Sequence, residues 1–243
     1  MDAPIQGLWI GPALSMMEQL SITSFLRQGH AYHLYVYDEV AHVPEGVIVK
    51  DAGDVLPASM IFQYKNRQTY AGFSNFFRYK LLLENGGWWA DTDVVCLKPF
   101  DFDTAYVFSS ERYREQVLVS SGLLKVPAGS AVMEYAWQIC LGKDRNDVKW
   151  GEIGPRLVDE AVRKFDLEPF IRPVDVFSPV NFRAWDTVLD PTRAWAFDET
   201  TYALHLWNEM WRQDQQDKNR RYHPDCLYEQ LKDRYLADDH SSI

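Results

Sequence analysis

One stretch of sequence decides the fold of this chain, Gly86-Gly87-Trp88-Trp89-Ala90-Asp91-Thr92-Asp93-Val94-Val95-Cys96-Leu97-Lys98-Pro99. The apolar residues on both sides of Asp91 and Asp93 are typical of a buried strand, and we expect the two acids to lie on it. Buried carboxylates destabilise a fold unless they are paired, hydrogen-bonded or bound to a metal. At an i, i+2 spacing, both carboxylates can reach one divalent cation through their oxygens. A turn at a strand end is the alternative that the same residues allow.

The composition is that of a globular protein with a substantial core. The chain has 243 residues, of which 47% are hydrophobic and 14% aromatic, enough for one large α/β domain. We predict a single domain over residues 1–236 and a disordered tail over 237–243. No apolar run reaches the roughly 18 residues of a transmembrane helix. The N-terminus also lacks the basic and apolar regions of a signal peptide.

The net charge indicates the kind of binding partner, and the cysteine content indicates the cellular compartment. The net charge is −10, from 25 basic and 35 acidic residues, which argues against nucleic acid as the main partner. The three cysteines, Cys96, Cys140 and Cys226, show no CxxC spacing and indicate neither a disulfide framework nor a zinc site. A reducing compartment follows, and we expect a cytoplasmic protein.

The opening of the chain predicts a β-α-β unit, with a strand over 5–10, a helix over 15–28 and a strand over 32–37. Such a unit favours a sheet with parallel strands and a ligand site at their carboxyl ends. The remaining predicted elements are strands over 46–50, 105–109, 116–125 and 203–207, and helices over 73–84, 129–142, 151–165 and 224–235.

The segment over 73–99 resembles the DXD-containing sugar transferases of glycosyltransferase family 32. Those proteins share a helix with a central Arg, a Gly-Gly turn, an aromatic or apolar pair, Asp-x-Asp and a Leu-Lys-Pro tail. Similar blocks occur in the catalytic domains of clostridial glucosylating toxins. Two weaker resemblances flank the block, to the first strand and to a C-terminal segment of that family. The matching residues are Asn75-Phe76-Phe77-Arg78-Tyr79, Gly86-Gly87, Trp88-Trp89-Ala90-Asp91-Thr92-Asp93, Leu97-Lys98-Pro99, Leu8-Trp9-Ile10-Gly11 and Leu204-His205-Leu206-Trp207-Asn208.

The resemblance implies a GT-A fold, an α/β architecture in which one Rossmann-like domain has a mainly parallel central sheet flanked by helices. It also implies Mn²⁺ or Mg²⁺, a nucleotide-sugar donor and transfer with retention of anomeric configuration. A UDP-sugar is the favoured donor and a GDP-sugar the alternative. A metal that bridges the two phosphates neutralises the leaving group as the glycosidic bond breaks. The implied acceptor is a saccharide or a lipid-linked glycan of polysaccharide biosynthesis, with peripheral association at the inner face of the membrane.

The resemblance also assigns roles to the residues around the metal. Asp93 would be the direct metal ligand, and Asp91 would hold the donor's ribose or reach the metal through water. His205 would be a third metal ligand, for which a neutral imidazole suits Mn²⁺. Arg78 would face the diphosphate with charge-assisted hydrogen bonds. The alternative for Arg78 is a surface helix position paired with Glu84 or another acid.

Three further residues are expected to contact the donor. Trp9 matches an aromatic that stacks on the donor's base, with a core tryptophan as the alternative. Trp207 would cover the diphosphate or hydrogen-bond it through its indole N–H. Asn75 stands where the family usually has an Asp that contacts the donor. An amide keeps hydrogen-bonding capacity but loses the charge, so the donor preference of this chain can differ.

Two other functional classes remain open on the sequence. A metal-dependent phosphohydrolase also uses paired Asp residues, but it normally needs a further acid or His cluster. A non-catalytic sugar-nucleotide-binding protein on the same scaffold is the second alternative. No carboxylate nucleophile for a double displacement is identifiable in the sequence. A same-face route, in which the leaving phosphate takes the acceptor's proton, is therefore favoured.

Overall fold

A six-stranded mixed sheet lies at the centre of the part of the chain that the computed structural model describes, residues 3–65 and 67–237. The strands of the chain are β1 (Ile5–Trp9), β2 (Tyr32–Val36), β3 (Ile48–Asp51), β4 (Gly87–Ala90), β5 (Val94–Cys96), β6 (Val107–Tyr113), β7 (Gln116–Val126) and β8 (Ala203–His205). Their order in the large sheet is β3-β2-β1-β4-β7-β6. The first four strands in this order run parallel, and β7 runs antiparallel to both of its neighbours, β4 and β6. A small second sheet pairs β5 with β8.

Seven α-helices are described alongside the sheets. They are α1 (Met16–Arg27), α2 (Ala71–Asn85), α3 (Ala131–Leu141), α4 (Pro155–Lys164), α5 (Val174–Phe177), α6 (Asn208–Gln213) and α7 (Leu227–Leu236). Short 3-10 turns lie at Ala52–Asp54, Ala58–Met60, Glu168–Phe170 and Phe182–Leu189. Among the described helices, none combines the length and the apolar character that a membrane span requires.

The aromatic face of α2 fixes the position of the site's central arginine. Phe73 and Phe77, four residues apart, lie on one face of the helix and are fully buried. The Phe77 ring packs against Trp89 of β4 at a centroid distance of 6.3 Å, and Phe76 packs edge-on against Trp137 of α3. These contacts hold α2 on both sides. Arg78, which follows Phe77, therefore lies at the carboxyl end of β4.

The Asp-Thr-Asp segment is not part of a strand, and the strand prediction is wrong here. It is a turn that takes the chain from β4 in the central sheet to β5 in the small sheet. The Val94 amide donates to the Asp91 carbonyl at 3.1 Å and closes the turn. The apolar residues continue because β5 is also buried, but its partner is β8. Periodicity alone does not distinguish two short buried strands from one.

Most of the other predicted elements are confirmed within a few residues. The β-α-β opening is present, and the helix predicted over 73–84 is α2. The helix predicted over 151–165 begins only at Pro155, where a proline fits the first helical position. The last strand ends at His205, because Trp207 has a left-handed backbone with φ 60° and ψ 52°. Except for Ala237, the predicted tail lies outside the described residues.

Candidate active site

A cavity of about 530 Å³ opens at the carboxyl ends of β1 and β4. This is the edge at which open α/β sheets bind ligands. The structure brings every sequence-predicted site residue to the wall of this one cavity. These residues are Trp9, Asn75, Arg78, Asp91, Asp93, His205 and Trp207.

Asp91, Asp93 and His205 form a cluster that fits a divalent cation. One ligand atom from each lies within 4.8 Å of the others, a little more than twice the ~2.1 Å of a magnesium–oxygen bond. Pairing of β5 with β8 places His205 opposite Val94, which follows Asp93 directly. Two carboxylates and one imidazole are a donor set that suits Mn²⁺ or Mg²⁺. Among the described residues this is the one such cluster found, so the second cluster expected of a phosphohydrolase is not seen there.

Asp93 is the more tightly held acid. Its Oδ2 accepts the Asn208 amide N–H at 2.8 Å and lies 3.2 Å from His205 Nε2. Burial alone would raise the pKa of Asp93, but the charge and hydrogen bond of His205 outweigh it and hold that pKa below its usual range. Burial would lower the pKa of His205, but the Asp93 carboxylate opposes this and raises it above 6.5. Below the raised pKa of His205, the two side chains therefore form an ion pair when no metal is bound.

The Asp93–His205 pair predicts a pH-dependent metal affinity. Mn²⁺ must displace the proton from His205, and the raised pKa means that this proton is already bound above pH 6.5. We expect the Mn²⁺ affinity to fall as the pH is lowered, with the loss beginning above pH 6.5. Titration calorimetry from about pH 8.5 to about pH 5.5 measures this. A flat profile for the wild type, or an unchanged profile in His205→Gln, would contradict the prediction.

Asp91 is oriented through one of its two oxygens. Oδ1 accepts from Arg78 Nη2 at 2.6 Å and from Trp89 Nε1 at 2.9 Å. Burial raises the pKa of Asp91, and the Arg78 charge opposes that shift. Asp91 Oδ2 has no hydrogen bond to a described residue and faces Gly122. One carboxylate oxygen is therefore fixed by the protein, and the other is available to a metal, a metal-bound water or a ribose hydroxyl.

Arg78 is the residue that holds Asp91 in place. Only 3% of its side chain is exposed, and its second nitrogen, Nη1, donates to the Ser121 carbonyl. The guanidinium also lies over the Trp89 ring, 4.9 Å from its centre. The alternative of a surface arginine is wrong, because Arg78 is buried, and its partner is not Glu84, which binds Lys80 at 2.6 Å. Pairing with another acid is confirmed, and that acid is Asp91. Contact between Arg78 and a diphosphate stays a prediction.

A wide bulge in β7 builds the wall behind Asp91. Residues 120–123 of β7 lie opposite the single residue Ser109 of β6. The bulge points the Ser121 carbonyl at Arg78 and the Gly122 carbonyl at the Asp91 amide, which donates to it at 2.7 Å. The sequence predicts only a strand over 116–125 at this place, because a bulge is visible only once the strands are paired.

Gly122→Ala is expected to weaken metal binding. An added Cβ would lie 3.0 Å from Asp91 Oδ2 and 3.3 Å from His205 Cε1, so the metal ligands must move. Displaced ligands lose favourable coordination geometry, and we expect the Mn²⁺ affinity to fall by about 10-fold or more. Calorimetry with Mn²⁺ measures the change. The control is Gly142→Ala, whose Cβ would meet nothing closer than 3.6 Å. Equal affinities in the two variants would refute the prediction.

The two tryptophans lie where expected, with one difference in hydrogen bonding. The Trp207 ring stacks on His205 at a centroid distance of 3.8 Å. Its indole N–H already donates to the Val180 carbonyl at 2.8 Å, so the predicted N–H contact with a diphosphate is not available in this conformation. The indole N–H of Trp9 is buried and has no hydrogen-bond partner among the described residues. An unpaired buried donor at the cavity wall is consistent with a ligand acceptor at that point.

Several cavity residues are not identifiable from the sequence. Only the fold brings these residues to the cavity wall, because they lie outside the residues matched in the sequence. The additional polar and aromatic residues that line the cavity include Glu111, Tyr113, Arg156, Glu209 and Arg212. For Glu111 and Tyr113 the one available signal is their alternate spacing on a strand, which places both on one face.

Comparison with known proteins identifies the class to which this fold and site belong. Residues 19–112 match the family described as glycosyltransferase sugar-binding region containing DXD motif, and residues 143–235 match the alpha 1,4-glycosyltransferase conserved region. Together the two regions cover more than half of the chain and include every predicted site residue except Trp9. The chain therefore carries two regions that match glycosyltransferases, one of which is the sugar-binding region with the DXD motif.

Individual relatives agree with this assignment. A human alpha-1,4-N-acetylglucosaminyltransferase is 25% identical over 153 residues, which are 56% of this chain and 42% of the relative. The matched part thus spans less than half of that relative. Among solved structures, the PaToxG glycosyltransferase superimposes with a TM-score of 0.51 at 17% identity, over 68% of this chain and 69% of that one. The structural match supports the predicted GT-A fold.

Proposed function

We propose that this protein transfers a sugar from a nucleotide-sugar donor to a saccharide acceptor, with a divalent cation at the Asp91-Asp93-His205 cluster. The observation that carries the proposal is this cluster in the wall of a cavity lined by every donor-binding residue predicted from the sequence. A cation there would act as a Lewis acid on the departing diphosphate. The donor is a nucleoside diphosphate sugar, for which we favour UDP over GDP.

The site has the parts that such a donor requires. Trp9 at the end of β1 offers an aromatic face for a base, and its ring also has the Lys218 ammonium 5.7 Å from its centre. Asn75, only 6% exposed, presents an uncharged amide to the cavity between β4 and α4. An amide both donates to and accepts from sugar hydroxyls. We therefore assign Trp9 to the nucleotide and Asn75 to the sugar.

We further propose that the transfer retains the anomeric configuration. Common nucleotide hexoses carry an α-linked sugar, and the matched C-terminal region and the human relative are both described by an α-1,4 linkage. An α product from an α donor requires retention. The acceptor is then a glycan or a lipid-linked saccharide. Association with the inner face of the membrane stays a prediction.

The test is release of a nucleoside diphosphate in the presence of Mn²⁺. Purified protein is incubated with UDP-N-acetylglucosamine, UDP-glucose, UDP-galactose or GDP-mannose and a set of simple glycoside acceptors. We expect turnover with at least one donor, loss of turnover with EDTA and recovery with Mn²⁺. The product anomer is read by NMR. Binding of UDP and Mn²⁺ without turnover on any donor would instead support the non-catalytic alternative.

A further inference from the structure

Glu111 of β6 differs from the other carboxylates at the cavity wall. Four acids line the cavity: Asp91, Asp93, Glu111 and Glu209. Asp91 is paired with Arg78, and Asp93 with His205. Glu209 lies 2.8 Å from Arg212 and 3.5 Å from Arg67. Among the described residues, Glu111 alone of the four has no ion pair.

The strand pairing directs Glu111 into the site. Glu111 pairs with Leu118 in the β6–β7 hairpin, and Tyr113 and Ser120 on the same face also line the cavity. Ser120 lies diagonally opposite Glu111 on that face. Ser120 itself lies beside the position where Gly122 meets Asp91 and His205. Ser120 thus lies between Glu111 and the metal cluster, and Glu111 is not one of the metal ligands.

The absence of an ion pair at Glu111 calls for a physical explanation, because its carboxylate lies in the wall of the cavity. Burial raises the pKa of Glu111, and the Ser120 hydroxyl and the charge of His205 oppose that shift only in part. A fold that keeps such a group gains no stability from it, and perturbed groups of this kind concentrate at functional sites. In sugar transfer, positive charge develops at the anomeric carbon as the bond to the leaving group breaks. That charge would be the partner that the Glu111 carboxylate lacks in the free protein.

We propose that Glu111 is the catalytic carboxylate that attacks the anomeric carbon of the donor sugar. The inference rests on the proposed function, for which it identifies the nucleophile. In the first step, a Glu111 oxygen bonds to the anomeric carbon while the bond from that carbon to the diphosphate oxygen breaks. The electron pair leaves with the nucleoside diphosphate. Each displacement inverts the carbon, so two displacements give retention.

The second step returns the enzyme to its starting state. The acceptor oxygen bonds to the anomeric carbon, and the ester bond to Glu111 breaks, which regenerates the carboxylate. The acceptor's proton passes to an oxygen of the departing nucleoside diphosphate. The step needs no further base. The other three acids of the cavity are held in ion pairs and are not needed to take the proton. The expected same-face route is replaced in this proposal by a double displacement, because the structure supplies a carboxylate that the sequence did not reveal.

The experiment compares Glu111→Gln and Glu111→Ala with the wild type, on the donor from the panel above that the wild type turns over best. The control is Glu115→Gln, an exposed acid in the turn of the same hairpin. We expect kcat to fall at least about 10³-fold in both Glu111 variants. The dissociation constant for UDP with Mn²⁺ should stay within about twofold of the wild type, and Glu115→Gln should retain full activity.

Chemical rescue separates a nucleophile from a structural residue. With the side chain removed in Glu111→Ala, azide can enter the vacated space and attack the α-linked donor. The expected product is a β-glycosyl azide, detected by mass spectrometry and NMR. Glu111→Gln with more than about a tenth of wild-type kcat would overturn the proposal. So would the absence of β-glycosyl azide from a Glu111→Ala protein that binds UDP and Mn²⁺ normally. If the wild type turns over no donor, the proposed function itself fails, and this inference fails with it.

Discussion

Replacing Asp93 with asparagine is expected to abolish metal-dependent sugar transfer while leaving the fold intact. The Asp93 carboxylate is 8% exposed and contributes to the metal cluster with Asp91 and His205. Asparagine keeps the shape and can still accept the Asn208 amide, but it loses the charge that balances the cation. If the metal supplies about 4 kcal/mol of transition-state stabilisation, its loss lowers kcat/KM about 10³-fold.

Two measurements test the Asp93→Asn prediction. Calorimetry should show a large loss of Mn²⁺ affinity, and the release of nucleoside diphosphate should fall in parallel. The matched control is Asp103→Asn, which neutralises an exposed acid in the loop after β5 and should behave as the wild type. An Asp93→Asn protein with normal Mn²⁺ affinity would show that the cation does not bind at this cluster.

Removing the Arg78 charge is expected to damage both stability and activity. In Arg78→Met, Asp91 loses its ion partner, and the Ser121 carbonyl loses its donor. Breaking a buried ion pair by removing one partner destabilises a protein by about 3–5 kcal/mol. Asp91 is 29% exposed, so we expect the lower end of this range, about 3 kcal/mol. Transfer should also fall, because Asp91 is no longer oriented toward the metal.

The Arg78 prediction has a matched control on the surface. Arg163→Met removes the cation from the Arg163–Asp159 pair, whose arginine is 52% exposed. An exposed pair contributes about 0–1 kcal/mol, and urea unfolding should separate the two variants clearly. The double variant Arg78→Met/Asp91→Asn should recover part of the lost stability, since no unpaired charge remains. Equal unfolding midpoints for Arg78→Met and Arg163→Met would refute the assigned role.

Local sequence determined the elements and the chemistry of the site. The Gly-Gly turn ends α2, and the acids follow a buried apolar run, so a pair of carboxylates beside a strand is readable from the printed residues, although the turn that holds them is not. The central arginine is identified through its place in the family pattern. Hydrophobic spacing predicts α2 because every third or fourth residue must face the core. These features depend on neighbours in sequence, which is why they can be read without the fold.

Only the tertiary structure decided which partner each site residue has. Arg78 binds Asp91 and not Glu84, because α2 packs against Trp89 of β4. His205 reaches Asp93 across 112 positions because β8 pairs with β5. Glu111 enters the cavity because β6 pairs with the bulged strand β7. Such long-range pairings depend on the register of distant strands, which residue spacing does not encode. The two acids thus have separate surroundings, Asp91 with Arg78 and Asp93 with His205, that no local pattern could assign.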